Sequence, residues 1–341
     1  MGADKRSRVT SFDVAAKAGV SQSTVSRALS GSQTITDATR NRVLEAAREL
    51  GYFVDERAAR LRRGQTGTLV VIVITRPGET PQQVNPFSYS LLGAICAAAA
   101  GHGFETLVSL QAEPESFFGH YVDRNQADGM IVIGTTANQP AWDYFREIGK
   151  TGQPIVYWGS PLGDLDWVSS DNQQGARMAA QHLIDCGYRK IACIGAGETR
   201  QRQFAERVET YRAVMEEAGL KALPIPVEEG FERDEQGRRA IAEMIAQGQE
   251  FDAVFAVCDA IGFGVLEGLR AAGISVPDNV GVIGFDGLQA GEHTSPPLAT
   301  IEPDFASAGA KLVEAVLDQS PDQPTRRVPV RLLARGSTAK H

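Results

Sequence analysis

The chain is poor in the residue types that build disulfide frameworks, metal centres and membrane spans. Only four of its 341 residues are cysteine: Cys96, Cys186, Cys193 and Cys258. None forms a C-x-x-C pair, and four are too few for a disulfide framework. Each lies among apolar neighbours, so buried reduced thiols are expected. The five histidines, His102, His120, His182, His293 and His341, are scattered without metal-ligand spacing. G-x-S-x-G, G-x-x-x-x-G-K-S/T and H-E-x-x-H are all missing, and GAGETR at 195–200 lacks the third glycine of a dinucleotide fingerprint. No enzyme activity, cofactor or metal is therefore expected. No apolar run approaches the ~20 residues of a membrane span. Residues 1–11 are polar and basic, without the apolar stretch of a signal peptide. A cytoplasmic protein with no membrane partner is expected.

What is present is a chain long enough for two or three domains and an uneven distribution of charge. Residues 1–65 carry 12 Lys+Arg against 7 Asp+Glu; the remainder carries 22 against 35. A basic N-terminal segment on an acidic body suits a detachable nucleic-acid-binding module; a solvated charged face is the plainer alternative.

The most informative stretch runs from Thr10 to Ser30. It reads as two short helices joined by a tight turn. Thr10, with Asp13 three residues on, resembles a capping box. Val14, Ala15 and Ala18 make a small apolar stripe. Gly19 tolerates the left-handed backbone that the turn needs. Ser21 caps a second helix with Val25 and Leu29 facing inward. Gln22, Ser23, Thr24, Ser26 and Arg27 face outward, a set of donors suited to the DNA major groove. Period and capping alone leave an ordinary helical hairpin open. A third helix is expected over 37–50, capped by Thr36 and ended by Gly51, with Val20, Val25, Leu29 and Val43 inside the core.

The D-V-A-x-x-A-G-V-S-x-x-T-V-S-R pattern at Asp13–Arg27 resembles the DNA-binding headpiece of the LacI/GalR family of transcription regulators. The resemblance implies a headpiece over 1–52 with Thr10, Ser21, Gln22, Ser23, Thr24, Ser26 and Arg27 at the DNA. Within that set, Gln22, Ser23 and Arg27 are expected at bases and Thr24 and Ser26 at phosphates. It also implies a hinge helix and linker over 53–68, in which Arg57, Ala58 and Leu61 reach the minor groove. A leucine wedge of that kind kinks DNA. Val54-Asp55 stands where the family usually has Pro-Asn, and an Arg-rich flexible linker is the alternative reading.

From Leu69 onward the pattern changes to short apolar runs separated by helical periods. Strands are expected near 69–74, 104–110, 130–134, 154–159, 190–195, 253–257, 280–285 and 326–333. Helices are expected near 88–100, 116–126, 140–150, 173–187, 203–218, 234–247, 260–272 and 304–318. Repeated βαβ units imply doubly wound parallel sheets. About 270 residues exceed one sheet, so two lobes with a cleft between them are expected, divided near 160. The family resemblance continues through NPF (Asn85–Phe87), DGMIVIG (Asp128–Gly134), SDN (Ser170–Asn172), HLIDCGYRKIACIG (His182–Gly195), RVETY (Arg207–Tyr211), GISVPDNVGVIGFDG (Gly273–Gly287) and PPLATI (Pro296–Ile301). It implies a periplasmic-binding-protein-like core over 69–335 that binds an effector and dimerises, with the chain crossing back between lobes near 290–335. The headpiece is all-α and the core α/β.

The same resemblance puts Arg207 and Asp286 in the role of effector grips, Phe305 as an aromatic wall, and Phe87 and Ser88 as cleft lining. Trp158, at a strand end, is placed to stack on a ring; core packing and a structural ion pair are the plainer readings of these residues. Cys258-Asp259, both candidate effector contacts, stands where many sugar-responsive members have Asn-Asp, so the effector is expected to differ from theirs; capping of the following helix is the alternative role for Asp259. The expected function is repression at a near-palindromic operator by a homodimer, relieved by a sugar or sugar derivative. A corepressor-type regulator with a non-sugar effector such as a purine, and a free-standing solute-binding protein, are the alternatives.

Overall fold

The computed structural model describes residues 9–30, 32–52, 64–159, 167–195, 201–228, 230–318 and 326–339. These fall into two compact units, Met1–Thr66 and Gly67–His341.

In the first unit, helices α1 (Ser11–Ala18), α2 (Gln22–Leu29) and α3 (Asp37–Leu50) enclose a small core. The Thr10 N–H donates to Asp13 Oδ2 at 2.8 Å and the Asp13 N–H to Thr10 Oγ1 at 3.4 Å, a reciprocal capping box. Gly19 follows α1 at φ 64°, and its left-handed turn aims the chain into α2. Ser21 Oγ accepts from the Thr24 N–H at 3.2 Å. Val14, Val25 and Val43 are wholly buried. Ala28 joins Val25 among the buried residues of α2, and Leu29, half-buried, packs against the same core. Arg57, Ala58 and Leu61, with Val54-Asp55, lie outside the described residues.

The second unit holds two six-stranded sheets. The first contains β1 (Thr68–Ile74), β2 (Glu105–Gln111), β3 (Gly129–Gly134), β4 (Ile155–Trp158), β5 (Trp167–Ser170) and β11 (Arg326–Val328), in the order β11-β5-β4-β3-β1-β2. The second contains β6 (Ile191–Ile194), β7 (Leu223–Ile225), β8 (Ala253–Ala256), β9 (Gly281–Phe285), β10 (Ala299–Pro303) and β12 (Val330–Leu333), in the order β12-β10-β9-β8-β6-β7. All pairings are parallel except β10 with β12. Continuous apolar runs such as Leu69–Ile74 are buried throughout because helices cover both faces. The covering helices are α4 (Pro86–Gly101), α5 (Gln139–Gly149), α6 (Asn172–Asp185), α7 (Arg202–Glu217), α8 (Arg233–Ala246), α9 (Asp259–Ala271) and α10 (Phe305–Leu317).

The chain crosses between lobes three times: at Asp171, at Asp304 and at Pro329. The first crossing comes about ten residues after the expected boundary near 160, because β5 belongs to the first sheet. The segment expected as one strand over 326–333 is two strands, one per sheet. Pro329 lacks the N–H that a continuous ladder needs, so the strand breaks there. The crossings are laced together. The Asp171 N–H donates to Val328 O and the Asp304 N–H to Pro329 O, both at 2.9 Å, while the two aspartates cap α6 and α10.

The helix expected over 116–126 is absent. Gln111 on β2 holds this stretch open: its amide donates to Phe118 O and accepts from the Phe118 N–H, each at 2.9 Å. Tyr121 OH reaches Ser109 Oγ at 2.9 Å. These side-chain bonds supply what a helical ladder would have supplied. Of the cysteines, Cys193 and Cys258 are buried, but Cys96 and Cys186 are only half-buried.

Candidate functional sites: a helix face and an interlobe cleft

The outward face of α2 presents Ser23, Ser26 and Arg27 to solvent, with Gln22 and Thr24 half-buried beside them. Some of its polar groups are already committed. Ser21 caps the helix and lies within hydrogen-bond distance of Ser23 Oγ (2.9 Å) and Thr24 Oγ1 (2.8 Å). Thr10 is occupied by Asp13. Gln22 donates to Ser11 Oγ at 3.3 Å, which holds α2 against α1 and leaves its amide oxygen free of that bond. A short helix fixed at its start by a cap and turned outward with hydroxyl, amide and guanidinium groups can read base edges and phosphates.

In the second unit a cleft of about 230 Å³, partly open to solvent, lies between the lobes. Its floor is polar and buried. Arg207, on α7, lies flat on Phe285, its guanidinium carbon 3.5 Å from the ring centroid. Arg207 Nη1 donates to Val257 O at 2.6 Å, Nε donates to Asn172 Oδ1 at 3.0 Å, and Asp286 Oδ1 is 3.4 Å from Nη1. Burial works against both charges of this pair. It pushes the Asp286 carboxyl up to about 7, with Arg207 pulling the other way, and lowers the Arg207 guanidinium. Asp286 has φ 125°, a backbone conformation that L residues rarely adopt. Its N–H donates to Ile301 O at 2.8 Å, which anchors the turn that carries the carboxylate.

Phe87, Ser88, Trp158, Arg207, Cys258 and Asp286 all line this cleft. Phe87 and Trp158 form one apolar wall, their ring centroids 5.9 Å apart. Cys258 is buried; desolvation raises its thiol to about 12, so it stays neutral. Two expected residues lie elsewhere. Phe305 stands behind Phe87, with ring centroids 5.2 Å apart, and shapes the wall from the second layer. Asp259 is turned away from the cleft: Thr300 Oγ1 donates to its Oδ1 at 2.6 Å and the Leu288 N–H to its Oδ2 at 2.7 Å. Gly284 makes this orientation possible, since a Cβ there would meet Asp259 Oδ1 at 2.2 Å. Burial raises the Asp259 carboxyl to about 6 against those two bonds.

Several cleft residues were missed from the sequence. Arg76, two residues past β1, and Thr135, directly after β3, sit where the rule that open α/β sheets bind ligands beyond their carboxyl ends points. Arg76 Nη1 meets Glu232 Oε1 of the opposite lobe at 3.0 Å. Arg233, half-buried, packs over Phe204 at 5.0 Å and donates to Gln236 Oε1 at 2.8 Å. Nothing local marks Arg233, which enters the cleft only through the placement of α8.

Comparison with known proteins agrees with this architecture. The profile described as "Bacterial regulatory proteins, lacI family" matches residues 12–54, and that described as "Periplasmic binding protein-like domain" matches 180–338. The HTH-type transcriptional regulator CelR of Thermobifida fusca is 31% identical over 338 residues, covering 97% of this chain and 96% of CelR. The HTH-type transcriptional repressor CytR of Escherichia coli (strain K12) is also 31% identical, covering 96% of each. A solved CelR–cellobiose complex superposes with TM-score 0.67 at 29% identity, covering 97% of this chain and 100% of that one. The lac repressor dimer bound to operator superposes with TM-score 0.78 at 22% identity, covering 98% and 100%, and shares the fold. A capped helix-turn-helix unit, two doubly wound lobes around a polar cleft, and this full-length similarity together make the chain a member of the lacI family of bacterial transcriptional regulators.

Proposed function

We propose that the protein is a cytoplasmic, homodimeric repressor whose operator affinity is set by a sugar or sugar derivative held between the lobes. The observation that supports this best is one chain carrying both a cap-fixed, donor-lined α2 and a cleft floored by Arg207 and Asp286. On this reading Gln22, Ser23 and Arg27 read bases, while Thr24 and Ser26 contact phosphates. Thr10 and Ser21 act as caps that hold α2 in place. Arg207 and Asp286 grip neighbouring hydroxyls, a donor beside an acceptor, against the apolar wall of Phe87 and Trp158. Cellobiose in the CelR complex supports a sugar-class effector. Cys258 adds no amide to the floor, so the ligand is not expected to need a bidentate partner there.

An effector changes DNA affinity only if it binds one lobe arrangement more tightly than another. The partner protomer is proposed to lie along the β2 edge. There Leu107, Val108 and Leu110, with Tyr89 on α4, form an exposed apolar group.

The test is selection of a preferred duplex from random DNA, followed by binding to that duplex and to random DNA. Arg27→Ala should weaken binding to the selected duplex by about 1–3 kcal/mol more than binding to random DNA. Equal losses would reassign Arg27 to the phosphates. A thermal-shift screen with sugars, sugar acids and purines, repeated with the selected duplex, then gives the effector class and the sign of the coupling.

A further inference from the structure

Behind the cleft floor, polar side chains from both lobes meet at one carboxylate. Glu206, on α7 of the second lobe and next to Arg207 in sequence, is largely buried. Arg327, on β11 of the first lobe, grips it with both ends of its guanidinium: Nη1 to Oε2 and Nη2 to Oε1, each at 3.0 Å. Arg327 Nη1 also donates to Ser169 Oγ on β5 at 2.8 Å. Arg202 reaches Glu206 Oε1 at 3.3 Å. The guanidinium carbons of Arg202 and Arg327, from opposite lobes, each lie 4.7 Å from the ring centroid of Trp167.

This clasp is joined to the cleft by Asn172, the buried first residue of α6. Asn172 Nδ2 donates to Glu206 Oε2 at 3.0 Å, and Asn172 Oδ1 accepts from Arg207 Nε at 3.0 Å. The two ends of an amide are not interchangeable. The carboxylate requires the N–H₂ end and the guanidinium requires the oxygen, so the amide has one orientation that serves both. Glu206 thereby fixes Asn172, and Asn172 fixes the guanidinium that lies in the cleft.

We infer that Glu206 is a positioning residue that couples Arg207 to the interlobe clasp of Arg327 and Trp167, so that engagement of Arg207 by an effector is felt where the lobes are pinned together. The inference rests on the reading of Arg207 as an effector contact, and it adds the route from that contact to lobe closure. A bidentate, largely buried ion pair between two bodies has few relaxed alternatives. Moving Arg207 leaves the Asn172 oxygen without its donor and disturbs the amide on which Glu206 depends. Coupling then runs through five side chains in contact, with no long-range field required.

The test uses full-length protein without ligand. Hydrogen–deuterium exchange of peptides covering 167–172 and 326–330 reads opening of the clasp. Arg327→Met removes the clasp and should speed exchange there about tenfold or more. Glu206→Gln should match it, while Glu206→Asp, which keeps the charge, should recover part of the protection. Arg207→Met, altered only in the cleft, should quicken the same peptides at least about threefold. Combining Arg207→Met with Arg327→Met removes any common loss of global stability from the comparison. Opening constants that depart from multiplicativity by about threefold or more support the coupling; any smaller departure overturns it. That second outcome would leave the repressor reading intact, whereas failure to select any preferred duplex would overturn the repressor reading and leave the exchange result standing.

Discussion

Asp259 and Asp286 both follow strand ends in the second lobe, and both carboxyls are raised by burial, yet they do different work. Asp259 is spent on Thr300 and the Leu288 N–H. Asp286 faces Arg207 and the cleft on a backbone that few residues adopt. The pH dependence of stability separates them. Below the ordinary carboxyl value of 3.8, Asp286 is protonated in folded and unfolded chains alike, and its contribution to stability is fully present. Between there and about 7 the unfolded chain releases this proton while the folded chain keeps it, so stability falls as pH rises. Asp286→Asn removes that dependence. The urea midpoint of the variant should therefore decline less than that of the parent between about pH 4 and 7, with Asp259 still contributing a smaller decline that ends near its value of about 6 in both proteins. Parallel curves would show that Asp286 is not held in the way described. Neither the bent backbone of Asp286 nor the inward turn of Asp259 is marked in the local sequence. Asp259 is held by Thr300 and the space that Gly284 leaves on neighbouring strands, and Asp286 faces Arg207 from α7.

At the scale of elements, most boundaries were legible because caps and breakers are local chemistry. Thr10, Ser21 and Thr36 each begin a helix through their own side chains, and Gly19 and Gly51 end the helices that precede them. Ser21→Ala should cost about 1 kcal/mol of headpiece stability, read as a lower midpoint for the helical signal of the isolated 1–66 unit or of the full chain. If α2 carries the DNA-facing side chains, as proposed above, operator affinity should fall with it while ligand binding in the core is unchanged. A loss of ligand binding in this variant would contradict the division of labour between the two units. Strands β5, β7 and β10 were not expected from the sequence at all, and two further stretches depart from expectation for a common reason. The stretch near 116–126 has helical spacing but is captured by the amide of Gln111, and the run 326–333 has strand composition but must serve two sheets. In both, a tertiary partner outweighs local pattern.

At the scale of the whole molecule, the two lobes repeat one plan. Strand orders β11-β5-β4-β3-β1-β2 and β12-β10-β9-β8-β6-β7 correspond position by position, although no repeat is visible in the sequence. Three crossings at Asp171, Asp304 and Pro329 run side by side and are tied by backbone hydrogen bonds, which allows the lobes to shift about a narrow line without separating. The edge of the first sheet is the remaining feature at this scale. Leu107, Val108 and Leu110 are each more than two-fifths exposed on the edge strand β2, a surface that solitary proteins usually blunt with charge. Leu107→Glu with Val108→Glu should shift the protein to a monomer in sedimentation and lower its operator affinity sharply, since each headpiece then binds alone. A variant that stays dimeric would move the interface elsewhere on the core.

The sequence by itself determined the class of each segment. Periodicity, capping residues and apolar runs act over a few residues, and they specified a helical headpiece and paired α/β lobes, while the motif at Asp13–Arg27 and those that follow it in the core carried the family resemblance. Tertiary structure alone decided which side chains share a site. Arg233 joins the cleft, Asp259 leaves it, Phe305 falls to the second layer, and Glu206 meets Arg327 from the far end of the chain, because those positions depend on how separate helices and strands pack and not on any pattern within one of them.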